Sequence, residues 1–272
     1  MSYWQDGAAL VCGGSSGLGL AIAEQLAQQR LKHLILIARD EAKLEATRAA
    51  LSRKTTTDIT IIPADLVDFE SVLNAAKLVE AKAGNLQLVV QAIGKSDRGN
   101  LAELSREHLL QLVDVNVVTS LHAIRAFSPL LVPSQGHIVL IGSLAGLFAP
   151  RFLGGYAIAK HGLTALAQQA RLELSSQRVS VTLCCPGPIA RPDAGSRYDD
   201  LPTVGSIPPE ARLPGGGAKL SGLAPDRLAI EILMAARHRR SIAIFPRRAW
   251  WLRFLSACSP QLGDSILQNR TS

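Results

Sequence analysis

A chain of 272 residues, 47% hydrophobic and 19% charged, is the size of one large α/β unit and can bury a substantial core. That profile excludes a disordered, collagen-like or membrane-embedded chain. The net charge is +7, yet the window from Ile232 to Gly263 holds six arginines and no acid, so it carries +6 and everything else only +1. Basicity confined to the tail, with no recognition module beside it, argues against a nucleic-acid partner.

The four cysteines, Cys12, Cys184, Cys185 and Cys258, lack C-x-x-C spacing and are too sparse for a disulfide scaffold. They fit a reducing compartment, and no metal site is expected. The N-terminal stretch carries Asp6 and no basic segment, and the apolar run Ala8 to Cys12 is far shorter than a signal-peptide core. The expected location is the cytoplasm.

In chain order, Ala8 to Cys12 reads as a short buried strand that runs into Gly13-Gly14-Ser15-Ser16-Gly17-Leu18-Gly19 and then an amphipathic helix, Leu20 to Gln29. Leu34 to Ala38 and Ile59 to Ala64 are further apolar runs, with a helical pattern around Glu41 to Leu51 between them. Continuous rather than alternating apolar runs suit strands covered on both faces. The alternation continues with Leu86 to Ile93, one long helix from about Arg106 to Leu131, strand His137 to Ile141, a helix from about Tyr156 to Ser175 and strand Val179 to Cys184.

From Pro186 to Pro225 the chain turns Pro- and Gly-rich, with Pro208-Pro209 and Gly215-Gly216-Gly217, and a connection of that length is expected to be a substrate lid. A helix from about Pro225 to Arg237 and a strand Ile242 to Phe245 follow. Right-handed crossovers fold these pieces into a Rossmann-type α/β structure: a doubly wound, mostly parallel seven-stranded sheet with helices on both faces. Residues 1–245 are expected to form the dinucleotide-binding and catalytic unit, with 186–225 as its lid and 246–272 as an aromatic-basic arm.

A glycine turn between a buried strand and a helix lets the backbone approach a pyrophosphate, and the helix start offers free N–H donors. Gly13, Gly17 and Gly19 are the candidates, spaced G-x-x-x-G-x-G; alone, such a turn is weak evidence. At the end of the second strand an acid would hold a ribose 2′-OH and a cation a 2′-phosphate. The sequence there is Ile37-Ala38-Arg39, so NADP(H) is favoured over NAD(H), with Asp40 as a complication and a merely solvated Arg39 as the plainer reading.

The strongest constellation is Ser143, Tyr156 and Lys160. Ser143 follows a strand, and Tyr156 and Lys160, four apart, share one helix face. A phenol of ordinary pKa about 10 beside an ammonium is expected to move toward working pH. It could then pass a proton to a carbonyl oxygen that Ser143 polarises.

On these residues the chain resembles the short-chain dehydrogenase/reductase family, over nearly all its length up to about residue 245. The resemblance implies that the loop Gly13, Ser15, Ser16, Gly17, Leu18 and Gly19 binds nucleotide, that Asp65 and Leu66 contact adenine, and that Gly94, Pro186, Gly187 and Ile189 lie beside the cofactor. It also implies that Asn116, at a helix kink, completes a tetrad with Ser143, Tyr156 and Lys160 through a water relay, that Tyr156 and Lys160 also touch the cofactor, Lys160 at its ribose, and that the protein forms a homodimer or homotetramer. Three departures stand out: Cys12 for a usual threonine, Gln91-Ala92-Ile93-Gly94 for the family's N-N-A-G, and Arg191 for a threonine that holds the cofactor.

The expected function is NADP(H)-dependent reduction of a hydrophobic carbonyl, or oxidation of the matching secondary alcohol. The alternative is a catalytically impaired cofactor-binding sensor or scaffold, which Gln91 and Arg191 keep open. The apolar stretch Leu144 to Leu153, with Arg151 as its polar handle, implies an apolar substrate wall; packing under the lid or against a subunit is the competing reading. His161, one step from Lys160, is expected to turn away from the site. In the tail, Trp250, Trp251, Phe254 and Leu255 interleave with Arg247, Arg248 and Arg253. Burial against the chain's own domain or a symmetry mate is the preferred expectation, and peripheral membrane contact the lesser one.

Overall fold

The computed structural model describes residues 4–191, 198, 207–213 and 222–270; the glycine run expected within the lid, Gly215-Gly216-Gly217, lies outside them. Seven strands form one parallel sheet: β1 Ala8–Cys12, β2 His33–Ala38, β3 Asp58–Pro63, β4 Leu88–Gln91, β5 His137–Ile141, β6 Ser180–Pro186 and β7 Ile242–Phe245. Their spatial order is β3-β2-β1-β4-β5-β6-β7. Every pairing is parallel. The order reverses between β1 and β4, where the crossovers diverge and leave a crevice at the carboxyl ends of the strands.

Helices α1 Gly17–Ala27, α2 Glu41–Ser52 and α3 Phe69–Ala83 alternate with the first strands, followed by α4 Arg106–Val113, α5 Thr119–Leu131, α6 Tyr156–Leu174 and α7 Pro225–Arg237. Asp40 and Asp68 begin α2 and α3 by accepting from the backbone N–H groups of Lys43 and Glu70. Gly84 ends α3 at φ +66, a conformation that disfavours a side chain. Pro225 starts α7 at a position that needs no donor.

Because strand side chains alternate, each strand feeds two cores. Ala9 and Val11 of β1 join α1, α2 and α7 on one face. Leu10 and Cys12 join α3, α5 and α6 on the other. Cys184 and Cys185 split the same way, as expected for neighbours on a strand.

Three elements differ from the sequence reading. The single helix read over 106–131 is divided into α4 and α5 by a π-helical segment, Asp114–Val118, which stands where the family resemblance implies a kink at Asn116; the extra residue of such a turn shifts the helical phase without ending the helix. The apolar run 86–93 supplies only four residues of β4, because Leu86 bonds the Leu130 carbonyl outside the sheet ladder. The helix between β3 and β4, to which the sequence reading gave no bounds, is α3; α9, Pro260–Arg270, was not anticipated, and the tail folds as a helical pair of α8, Ala249–Cys258, with α9.

Candidate active site

The crevice holds a cavity of about 1000 Å³. The turn after β1 lines it. Gly13 (φ +82) and Gly17 (φ +53) adopt backbone conformations that resist a side chain, and a Cβ on Gly19 would run into the Gly13 carbonyl. Ser16 precedes α1 without capping it through its side chain, so the first N–H groups of the helix keep their capacity for an anion. Ser15 and Leu18 complete this wall, and the bare backbone fits a pyrophosphate.

Arg39 lines the cavity at the end of β2. The neighbouring Asp40 is engaged elsewhere: its carboxylate accepts from Lys43 N at 3.0 Å and pairs with Lys43 Nζ at 2.8 Å. Those hydrogen bonds from Lys43 hold its pKa below the ordinary carboxylate value. Lys43 also faces the cavity, a second cation that the sequence reading did not single out. Asp65 accepts from Val67 N and lines the same rim with Leu66.

The same cavity is lined by Ser143, Tyr156 and Lys160, and by Gly94, Pro186, Gly187 and Ile189. Ser143 Oγ accepts from Ala145 N at 3.1 Å. Tyr156 begins α6, whose preceding Gly155 N–H donates to Asp97 Oδ2 at 3.1 Å. Lys160 Nζ donates to the Ile141 carbonyl at 3.0 Å and lies 5.7 Å from the centre of the Tyr156 ring.

Asn116 does not line the cavity but stands behind it, fully buried at the centre of the π segment. It donates to the carbonyls of Lys95 and Leu112 and accepts from Lys95 N. A Cβ on Gly94 would come 2.9 Å from Asn116 Oδ1 and 3.1 Å from Lys160 Nζ, so this glycine is what lets the amide and the ammonium approach.

The electrostatics correct one expectation. Burial raises the Tyr156 pKa above its ordinary value, Tyr198 raises it further, and the opposing influences come from the Ser143 hydrogen bond and the guanidinium groups of Arg98 and Arg191. Lys160 is not among them. The same burial acts on the amine, whose pKa falls to about 8, so the lysine's charge is itself weakened by desolvation.

Gln91, singled out in the sequence as a departure from the family's asparagine motif, is buried, with its Oε1 accepting from Ile93 N and its Nε2 without a partner among the described residues. The segment after it contributes the residues that sequence reasoning missed. Lys95 holds Asn116, and Asp97 accepts from the start of α6 and from His108 Nε2 at 3.0 Å. Ser96 bonds Tyr198 Oη at 2.8 Å. Buried Arg98 donates to the Ala211 and Leu213 carbonyls and stacks on Tyr198, 4.3 Å from its centre. The only available signal was the polar run Lys95-Ser96-Asp97-Arg98 directly after a buried strand.

Arg191 reaches over the glycine turn, 3.5 Å from where a Gly17 Cβ would stand. Leu144, Ala145, Phe148, Pro150 and Leu153 form an apolar wall, whereas Arg151 turns onto Phe152 and leaves the cavity. His161 bonds the Ala157 carbonyl on the outer side of α6, as expected. From the tail, Arg248, Trp251, Leu255, Ile266 and Leu267 also line the cavity. No described helix is long and apolar enough to cross a membrane, and no cluster of metal-ligating side chains occurs among the described residues.

The family model described as short chain dehydrogenase matches residues 7–200. An uncharacterized oxidoreductase of Staphylococcus saprophyticus is 31% identical over 194 residues, covering 70% of this chain and 82% of that protein. Among solved structures, a short chain dehydrogenase/reductase from Burkholderia phymatum in complex with NAD aligns at a TM-score of 0.81 with 23% identity, over 96% of each chain. L-sorbose reductase from Gluconobacter frateurii, complexed with NADPH and L-sorbose, aligns at 0.77 with 21% identity, over 90% of this chain and 97% of that one.

Proposed function

Since the chain belongs to the short-chain dehydrogenase family, and so is an oxidoreductase in the general sense, we propose that it reduces a hydrophobic carbonyl with NADPH, or oxidises the matching secondary alcohol with NADP⁺. The observation that carries this reading is that one cavity joins the glycine turn to Ser143, Tyr156 and Lys160. The bound nucleotide supplies or accepts hydride. Gly13, Ser15, Ser16, Gly17, Leu18 and Gly19 hold its pyrophosphate, Arg39 with Lys43 its 2′-phosphate, and Asp65 and Leu66 its adenine end.

In reduction, the Ser143 hydroxyl donates to the carbonyl oxygen, and the neighbouring Tyr156 hydroxyl delivers its proton to that oxygen. Tyr156 has a raised pKa, so it is protonated at neutral pH and ready to act as the acid. Lys160 lies deeper, toward Asn116 and Gly94, where its ammonium resupplies the phenol through the Asn116 side of the site. Pro186, Gly187 and Ile189 bound the space for the nicotinamide.

Apolar specificity rests on the wall from Leu144 to Leu153. The sorbose reductase shows that a relative of this fold takes a polar sugar, so the preference is argued from this chain's own side chains. Units 1–245 and 246–272 are proposed to share one site, since the tail lines the cavity. Association into a homodimer or homotetramer, and a cytoplasmic location, are carried over from the family reading and the cysteine usage.

The test is Tyr156→Phe, assayed with NADPH and a panel of ketones. Losing only the hydroxyl should keep nucleotide affinity and lower turnover by at least about a hundredfold. Unchanged turnover in the variant removes the proton-donor role, and no turnover by the wild type across the panel favours the sensor or scaffold alternative.

A further inference from the structure

We propose that α8 docks flat on an anionic lipid bilayer, with the mouth of the cavity opening at that surface. The sequence expectation that the tail tryptophans bury against their own domain fails in the single chain: Trp250, Trp251 and Phe254 are 49%, 64% and 49% exposed, and Leu255 is 36% exposed. They are not scattered. At about 100° per residue, Trp250, Phe254, Trp251 and Leu255 occupy one continuous face about 140° wide. Trp250 packs on Phe254 (5.9 Å, 9°) and edge-on against Trp251 (5.3 Å, 83°). The opposite side of the helix is anchored, since Ala249 packs against the core.

Cations frame this face. Arg253 and Arg248 lie on its two flanks and Arg247 at its N-terminal end, and all three are exposed. None of the salt bridges among the described residues involves them. Exposed indole and phenyl rings bordered by unneutralised guanidinium groups match a bilayer interface, where rings sit among headgroups and cations meet anionic phosphates. A second copy of the chain would bring the same positive charge to this face and repel it. The charge pattern therefore commits the surface to lipid.

The face is also continuous with the site. Trp251 and Leu255 belong both to the exposed face and to the cavity lining, joined there by Ile266 and Leu267 of α9. A substrate dissolved in the bilayer could pass along these side chains without crossing water. This consequence rests on the oxidoreductase reading; the docking does not.

The experiment is flotation of the full chain with vesicles of phosphatidylcholine alone or mixed with phosphatidylglycerol. Quenching of tryptophan emission by brominated lipid reports contact in parallel. Binding to the mixed vesicles should exceed binding to the neutral ones by about tenfold and weaken with added salt. Trp250→Glu with Phe254→Glu, residues outside the cavity lining, should abolish it while circular dichroism is unchanged. Arg247→Gln with Arg253→Gln, which spares the apolar face, should lower binding to the mixed vesicles alone.

Equal absence of binding to both vesicle types overturns the proposal. So does a wild-type dimer that the Trp250/Phe254 variant converts to monomer, which would give the face to a second copy. Neither readout depends on turnover, so failure here and failure of the oxidoreductase reading are separable.

Discussion

The proposed preference for NADP(H) rests on four side chains. Ala38 leaves no acid to meet a ribose hydroxyl, Asp40 spends its carboxylate capping α2, and Arg39 and Lys43 remain on the cavity rim. A charge-assisted hydrogen bond is worth about 1.5–3 kcal/mol. Arg39→Ala should therefore weaken NADPH binding by about tenfold to a hundredfold and leave NADH nearly unchanged, as measured by calorimetric titration. Tighter binding of NADH than NADPH by the wild type would overturn the assignment.

Among the elements, the short connection from β4 to α4 organises the site more than any helix. Lys95 holds Asn116, Asp97 holds the start of α6, and Arg98 ties down residues 207–213 through two backbone carbonyls. Gly99 pairs with Leu153 of the apolar wall. Arg98→Ala would strip those carbonyls of their donor and withdraw a charge that lowers the Tyr156 pKa. Faster amide exchange at 207–213, and a KM for ketone raised by about tenfold with a smaller change in kcat, are the expected outcomes. Amide exchange at the wild-type rate would show that Arg98 does not hold this segment.

At the scale of the whole molecule, one buried histidine is expected to make stability sensitive to acid. His137 on β5 bonds Thr182 of β6 at 2.7 Å, and burial, with Arg239 nearby, lowers its pKa from 6.5 to about 4. The unfolded chain binds the proton more readily, so the stability that neutral His137 contributes is complete above pH about 6.5 and lost as pH falls toward about 4. The interval of about 2.5 units corresponds to about 3 kcal/mol. His137→Gln keeps a hydrogen-bonding side chain without a titrating group, and should flatten the fall in unfolding free energy between pH 7 and 4 by about that amount in denaturant titrations. An unchanged slope would locate the acid sensitivity elsewhere.

The chain's own periodicity and turn chemistry determined the seven strands, their parallel sense, the glycine turn and the spacing of Ser143, Tyr156 and Lys160, because each is written in residues close together along the chain. The cysteine pair on β6 and the outward His161 were legible for the same reason. Folding alone decided what depends on residues distant in sequence. It drew Asp97 and Arg98 against α6 and residues 207–213, gave the kink expected at Asn116 the form of a π turn over 114–118, and raised the Tyr156 pKa by burial where proximity to Lys160 suggested the reverse. It also carried the tail across the cleft and left its tryptophans uncovered, since burial is a sum over contacts from the whole chain and no local pattern contains that sum.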